Sequence, residues 1–182
     1  MMNRERYYTS NEELANTISH AFGILLGVIA GYILLSISIQ KENIWAVISV
    51  SIYLVGMLAS YITSTWYHGC KNEKKKGFLQ KCDHSAIYLH IAGTYAPFTL
   101  IILRDVGAWG WSLFAFVWTA AIIGVIVSFR KLKKHSNLET ICFIIMGCSI
   151  LIAFKPLMDT LSPLGLINAL YWIIAGGVSY II

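Results

Sequence analysis

Six long apolar runs, at approximately residues 20–39, 44–67, 84–103, 108–129, 138–154 and 164–182, occupy most of the sequence. A helix of about 20 residues, rising 1.5 Å per residue, crosses the roughly 30 Å hydrocarbon core of a bilayer. Inside lipid the backbone must satisfy its own hydrogen bonds, so glycines and β-branched residues within these runs do not argue against helix. The expected fold is therefore all-α. It is a polytopic membrane helical bundle with six transmembrane helices, forming a single integral-membrane domain over residues 1–182. Charged residues make up only 13% of the chain, against about 25% in a typical soluble domain. That leaves too little polar surface to cover a water-soluble core.

The connections set the orientation. Arg4 and Arg6 precede the first run. Lys71, Lys74, Lys75, Lys76 and Lys81 follow the second, and Arg130, Lys131, Lys133 and Lys134 follow the fourth. These alternate segments hold 11 of the 14 basic residues; the opposite connections hold Lys41, Arg104 and Lys155, one each. Basic residues in short loops stay on the cytoplasmic side. The N-terminus, residues 69–83 and residues 130–139 are thus expected to be cytoplasmic, in a multi-pass protein of the cell membrane. The net charge of +5 follows from this topology, so no nucleic-acid partner is expected. Trp45, Trp66, Trp109 and Trp111 fall near run ends, as an interfacial aromatic belt requires. The four cysteines, Cys70, Cys82, Cys142 and Cys148, form no C-x-x-C pair and no disulfide framework is expected. No cleavable signal peptide is expected either, because the first apolar run is too long for one.

Polar residues gather at the cytoplasmic end of the second and third runs. Ser64 and His68 are four residues apart and share one helical face. Asp83 opens the third run at the same level. An imidazole can bind Zn²⁺, a carboxylate can bind it or orient its water, and a serine hydroxyl can donate to a developing oxyanion. One histidine does not make a zinc site, since catalytic sites use three protein ligands. Interfacial polar residues and a helix cap account for the same spacing. Glu13, Asn16 and His20 lie at i, i+3 and i+7 on one face leading into the first run at that level, which also suits an amphipathic interfacial helix. Asp83, His90, Thr94 and Pro97 form a stripe on the third run that should face the bundle interior. Interhelical hydrogen bonding with a proline bend explains that stripe equally. His84 points off it and is expected to be exposed. His135 lies in a basic loop, and the lysines 71–76 read as topology determinants.

The stretches "EELANTISHAFG", "YITSTWYH" and "DHSAIYLHIAGTYAPF" resemble three signature stretches of the hemolysin III family, the bacterial branch of the progestin and adipoQ receptor proteins. "AGGVSY", near Gly176, is similar to that family's sixth helix. The resemblance implies seven helices, with the N-terminus inside and the C-terminus outside, and a zinc ion near the cytoplasmic face. It assigns a metal-ligand role to His68, a water-orienting role to Asp83 and a catalytic role to Ser64. The family's other two zinc histidines come from a His-x-x-x-His on the seventh helix. No histidine follows His135 here. The chain is therefore expected to end short of that helix, as a truncated gene or fragment would, and to carry an incomplete zinc site.

Three functions are then open. The first is a zinc-dependent membrane hydrolase acting on a lipid-like amide, with membrane lipids as surroundings and source of substrate. This follows the alkaline ceramidases of the wider superfamily. The second is a pore-forming, haemolytic protein, as the family's name implies, although the sequence has no ring of like charges suited to a wide pore. The third is a receptor-like protein whose cytoplasmic face is stapled by metal.

Overall fold

A computed structural model describes residues 8–130 and 138–181; Arg4, Arg6, Lys131, Lys133, Lys134 and His135 lie outside them. The described residues are helical throughout, in the order α1 (Ser10–Gln40), α2 (Ile44–Gly69), α3 (Glu73–Pro97), a π-helical turn (Phe98–Ile102), α4 (Trp109–Phe129), α5 (Leu138–Cys148), a 3₁₀ segment (Ser149–Ala153), α6 (Phe154–Leu161) and α7 (Asn168–Ile181). Five stretches are long and apolar enough to cross a membrane: 10–40, 44–69, 73–102, 109–129 and 138–161. The sixth expected span corresponds to α7, of which 14 residues are described. Large apolar side chains such as Leu25, Ile29, Tyr32, Ile122 and Ile126 point outward, which is the surface a lipid-facing bundle presents.

Three boundaries differ from the sequence reading. The lysine-rich segment is not a connection: only residues 70–72 separate α2 from α3. Asn72 caps α3 through its side chain, which accepts from the backbone N–H groups of Lys74 and Lys75. Lysine is a good helix former, so the run 74–76 continues from that cap as helix. Asp83 consequently sits ten residues into α3 rather than opening it. At the other end, Pro97 cannot donate to the helical ladder. The ladder widens there by one residue, with the Leu103 N–H bonding the Phe98 carbonyl at 2.9 Å. Finally, the fifth span does not stop at Pro156. That proline lies in the first turn of α6, where a missing N–H leaves no intrahelical bond unmade.

α3 is the axis of the bundle, and its buried face is gripped from both sides. A Cβ at Gly56 of α2 would lie 2.5 Å from the Leu89 carbonyl oxygen, and one at Gly124 of α4 would lie 2.4 Å from the Tyr88 ring. Only glycine leaves room for a backbone carbonyl at the first position and an aromatic ring at the second, the usual device where lipid supplies no hydrophobic drive between helices. Tyr95 ties α3 to the break between α5 and the 3₁₀ segment. Its hydroxyl lies 2.7 Å from the Met146 carbonyl and 2.8 Å from that of Gly147. It accepts from the Ile150 N–H and the Ser149 hydroxyl, each at 3.0 Å.

Candidate functional site

Glu13, Asn16, His20, Ser64, His68 and Asp83 are held at the same end of α1, α2 and α3. α1 starts with a capping box: Glu12 N–H donates to the Thr9 hydroxyl, and the Glu12 carboxylate accepts from Thr9 N–H. That fixes the first turn of a helix whose inward face carries Glu13, Asn16, Thr17 and His20, while the residues between them are exposed. α2 ends with Ser64 and His68 on its inner face. α3 brings Lys76 and Asp83 to the same end on one helical face, seven residues and two turns apart.

Ser64 and Asp83 are both buried, at 5% and 8% exposure. Ser64, His84, His68 and His20 are the polar groups that lie near enough to Asp83 to influence its carboxylate. Ser64, His68 and Asp83, singled out in the sequence, therefore lie in one polar region at the same end of α2 and α3. His20 joins them, its ring stacked on that of His68 with centroids 5.8 Å apart and planes 11° apart. His90 lies deeper in the bundle, against Tyr61 at 6.0 Å. His84 is not simply exposed. Its Nδ1 is 2.7 Å from Glu139, whose other oxygen accepts from Ser128 at 2.8 Å, so this cluster pins α5 to α3 and α4.

The sequence reading missed the partners of His68. Its Nδ1 is 2.7 Å from Glu13 Oε2, and Lys76 Nζ binds the other Glu13 oxygen at 2.5 Å. Tyr67 packs at 4.7 Å and Tyr8 at 5.5 Å from the His68 ring, and the Lys76 ammonium also lies over the Tyr67 ring. The spacing of Lys76 and Asp83 on one face of a helix was the available signal, but it shows only when α3 is extended back through the lysines.

A zinc ion can be tested against these residues. His68 uses Nδ1 on a carboxylate, the usual arrangement of a metal-binding imidazole, which leaves Nε2 for a cation. Asp83 is a buried carboxylate that His68 is near enough to influence. The donors fit zinc in kind. In number they form part of a set, because no group of three or more His, Cys, Asp or Glu among the described residues lies close enough to hold a metal ion.

The profile of the family described as Haemolysin-III related matches residues 8–182, from just before the first cap to the end of α7. The chain belongs to this family. It is 40% identical over 169 residues to Hemolysin-3 of Bacillus cereus, covering 93% of this chain and 74% of that protein. To the Hemolysin-3 homolog of Bacillus subtilis (strain 168) it is 38% identical over 158 residues, covering 87% and 73%. The human Monocyte to macrophage differentiation factor is 30% identical over 146 residues, which is 78% of this chain and 59% of that protein. The matched region includes the ends of α1, α2 and α3 that carry the cluster, as well as the apolar helices that make this a multi-pass membrane protein.

Proposed function

We propose that this haemolysin-III-related protein is a zinc-dependent hydrolase of the cell membrane, acting on a lipid-like amide at the cytoplasmic face. The carrying observation is the gathering of Ser64, His68 and Asp83 from two adjacent helices into one polar region, with Ser64 and Asp83 buried, at one end of an otherwise apolar bundle. The basic residues support the sidedness: 11 of 14 lie in segments that put this end, and the N-terminus, inside. α7 is read as the sixth transmembrane segment.

In this reading His68 would hold the metal through Nε2 as one member of its ligand set. Bound zinc supplies a Lewis acid and lowers the pKa of a coordinated water towards about 7. Asp83 accepts the proton of the attacking water as the new carbon–oxygen bond forms. Protonated, it can donate to Ser64, whose own hydrogen then turns to the oxyanion. Collapse breaks the carbon–nitrogen bond, and the proton on Asp83 passes to the leaving amine. The burial of Asp83 beneath helix ends keeps bulk water from competing for that proton.

The fold also offers room for an apolar substrate. A cavity of about 450 Å³ lies between α3, α5 and α7, with His90, Thr94, Phe98, Phe143 and Trp172 on its walls. His90 is seven residues from Asp83, so the cavity begins about 10 Å along α3 from the polar cluster. In this reading an amide lipid enters it sideways from the bilayer.

The test is made on purified protein in lipid nanodiscs. Zinc content is measured by elemental analysis, and release of fatty acid from a ceramide-type amide by mass spectrometry. His68→Ala is expected to lose both, and Asp83→Asn to lose turnover. Unchanged zinc in His68→Ala would reject the metal assignment. Dye leakage from liposomes that survives all three substitutions at Ser64, His68 and Asp83, without hydrolysis, would favour the pore-forming reading instead.

A further inference from the structure

Glu13 is engaged on both oxygens by different helices. Oε1 takes the Lys76 ammonium at 2.5 Å, and Oε2 lies 2.7 Å from His68 Nδ1. A carboxylate paired with a lysine has no hydrogen to give, so the hydrogen in the second contact belongs to the imidazole. In the neutral ring, Nδ1 therefore carries the hydrogen and Nε2 the lone pair. Rotation of the ring is opposed on several sides, by the stacked His20, by Tyr67 and by Tyr8. The His68 side chain is only 8% exposed and that of Glu13 only 20%.

We infer that Glu13, held by Lys76, is a positioning residue that fixes His68 as its Nδ1–H tautomer and leaves Nε2 as the one ring nitrogen able to ligate a divalent cation. A carboxylate in this position on a metal-binding histidine sets ring orientation and raises ligand basicity. A plain interhelical staple between α1 and α2 needs no particular tautomer. The Lys76 contact adds a third helix, so that α3 supplies both Asp83 and the charge that steadies the histidine's partner. As far as it concerns a metal, the inference rests on the zinc reading above; as far as it concerns the ring, it stands without it.

The test uses histidine-labelled ¹⁵N protein in nanodiscs, with the His68 imidazole followed by NMR at a pH where the ring is neutral. Zinc affinity is measured alongside by competition with a chelator. Wild type should show a protonated Nδ1 and a bare Nε2. Glu13→Ala should move the ring towards the Nε2–H tautomer and weaken zinc binding about 10- to 100-fold. Glu13→Gln, which keeps an oxygen acceptor, should recover most of both. If Glu13→Ala does not fold, Glu13→Asp draws the carboxylate back from the ring while keeping its charge, and the same two shifts are expected. A wild-type tautomer and wild-type affinity in the folded variant would overturn the role of Glu13. If the wild-type protein takes up no zinc at all, the hydrolase reading falls, and the tautomer signature alone decides the positioning role: lost in the variant it supports that role, unchanged it overturns it.

Discussion

Substituting Gly56 with alanine tests the claim that α3 is set by close backbone approach. The added Cβ would lie 2.5 Å from the Leu89 carbonyl oxygen, where ordinary contact begins at 3.4 Å, so α2 and α3 must part by about 0.9 Å. The opposing atom is backbone and cannot rotate away, which places the cost near the top of the overpacking range, about 3 kcal/mol. Alanine returns about 1 kcal/mol of helix preference over glycine. The net expectation is a loss of about 2 kcal/mol. For a chain of this size that is a fall in Tm of about 4–8 °C, taking about 2–4 °C per kcal/mol. The control is Gly177→Ala in α7, where an added Cβ meets nothing within 4 Å. It should leave Tm unchanged or raise it. Both are read by thermal unfolding in one detergent, with monodispersity followed by size exclusion. A Gly56→Ala protein as stable as the Gly177→Ala protein would refute the argument, because the two differ in sign only through the backbone contact.

Tyr95→Phe removes the hydroxyl that serves the backbone where α5 gives way to the 3₁₀ segment; a loss of about 1–3 kcal/mol is expected, read as a lower Tm in the same assay. Glu139→Ala should strip partners from both Ser128 and His84, and a double-mutant cycle with His84→Ala should return a coupling of about 0.5–3 kcal/mol; zero coupling would show the 2.7 Å contact to be energetically idle. In the connection before α4, the Arg104 guanidinium hydrogen-bonds Asp105 and holds its carboxyl below the ordinary value of about 3.9. Arg104→Ala should move the Asp105 midpoint up towards that value in an NMR titration. Because Asp105 is fully exposed, solvent screens the pair and its contribution to stability is small, present at neutral pH and lost as pH falls through the folded-state midpoint. Arg104 also lies over the Trp45 ring, so the same variant should alter tryptophan fluorescence.

Much of the architecture was legible in one dimension. Lipid requires each crossing segment to bury its own backbone bonds and expose apolar side chains, so a span announces itself by length and composition alone. The five long helical stretches fall where the apolar runs lie. Errors came at the ends, where local capping by Asn72 and the first-turn position of Pro156 outweighed the change in hydropathy. Ser64 and His68 were legible as a pair because i and i+4 share a helical face whatever surrounds them. The inward face of Glu13, Asn16 and His20 was legible for the same reason.

What faces that face was not. Glu13 finds His68 across 55 residues and Lys76 across 63, and helical periodicity carries no information about which neighbouring helix a stripe will meet. Likewise, the sequence could offer an aspartate near a membrane surface, but not its burial beside Ser64. That burial depends on how deeply α2 and α3 sink into one another, which a glycine opposite a carbonyl decides and a hydropathy pattern does not. The amino-acid sequence by itself determined a helical membrane protein with ionisable groups at one end. Tertiary packing alone decided which of those groups share hydrogen bonds, because that depends on interhelical distances of a few ångströms rather than on the order of residues along any single helix.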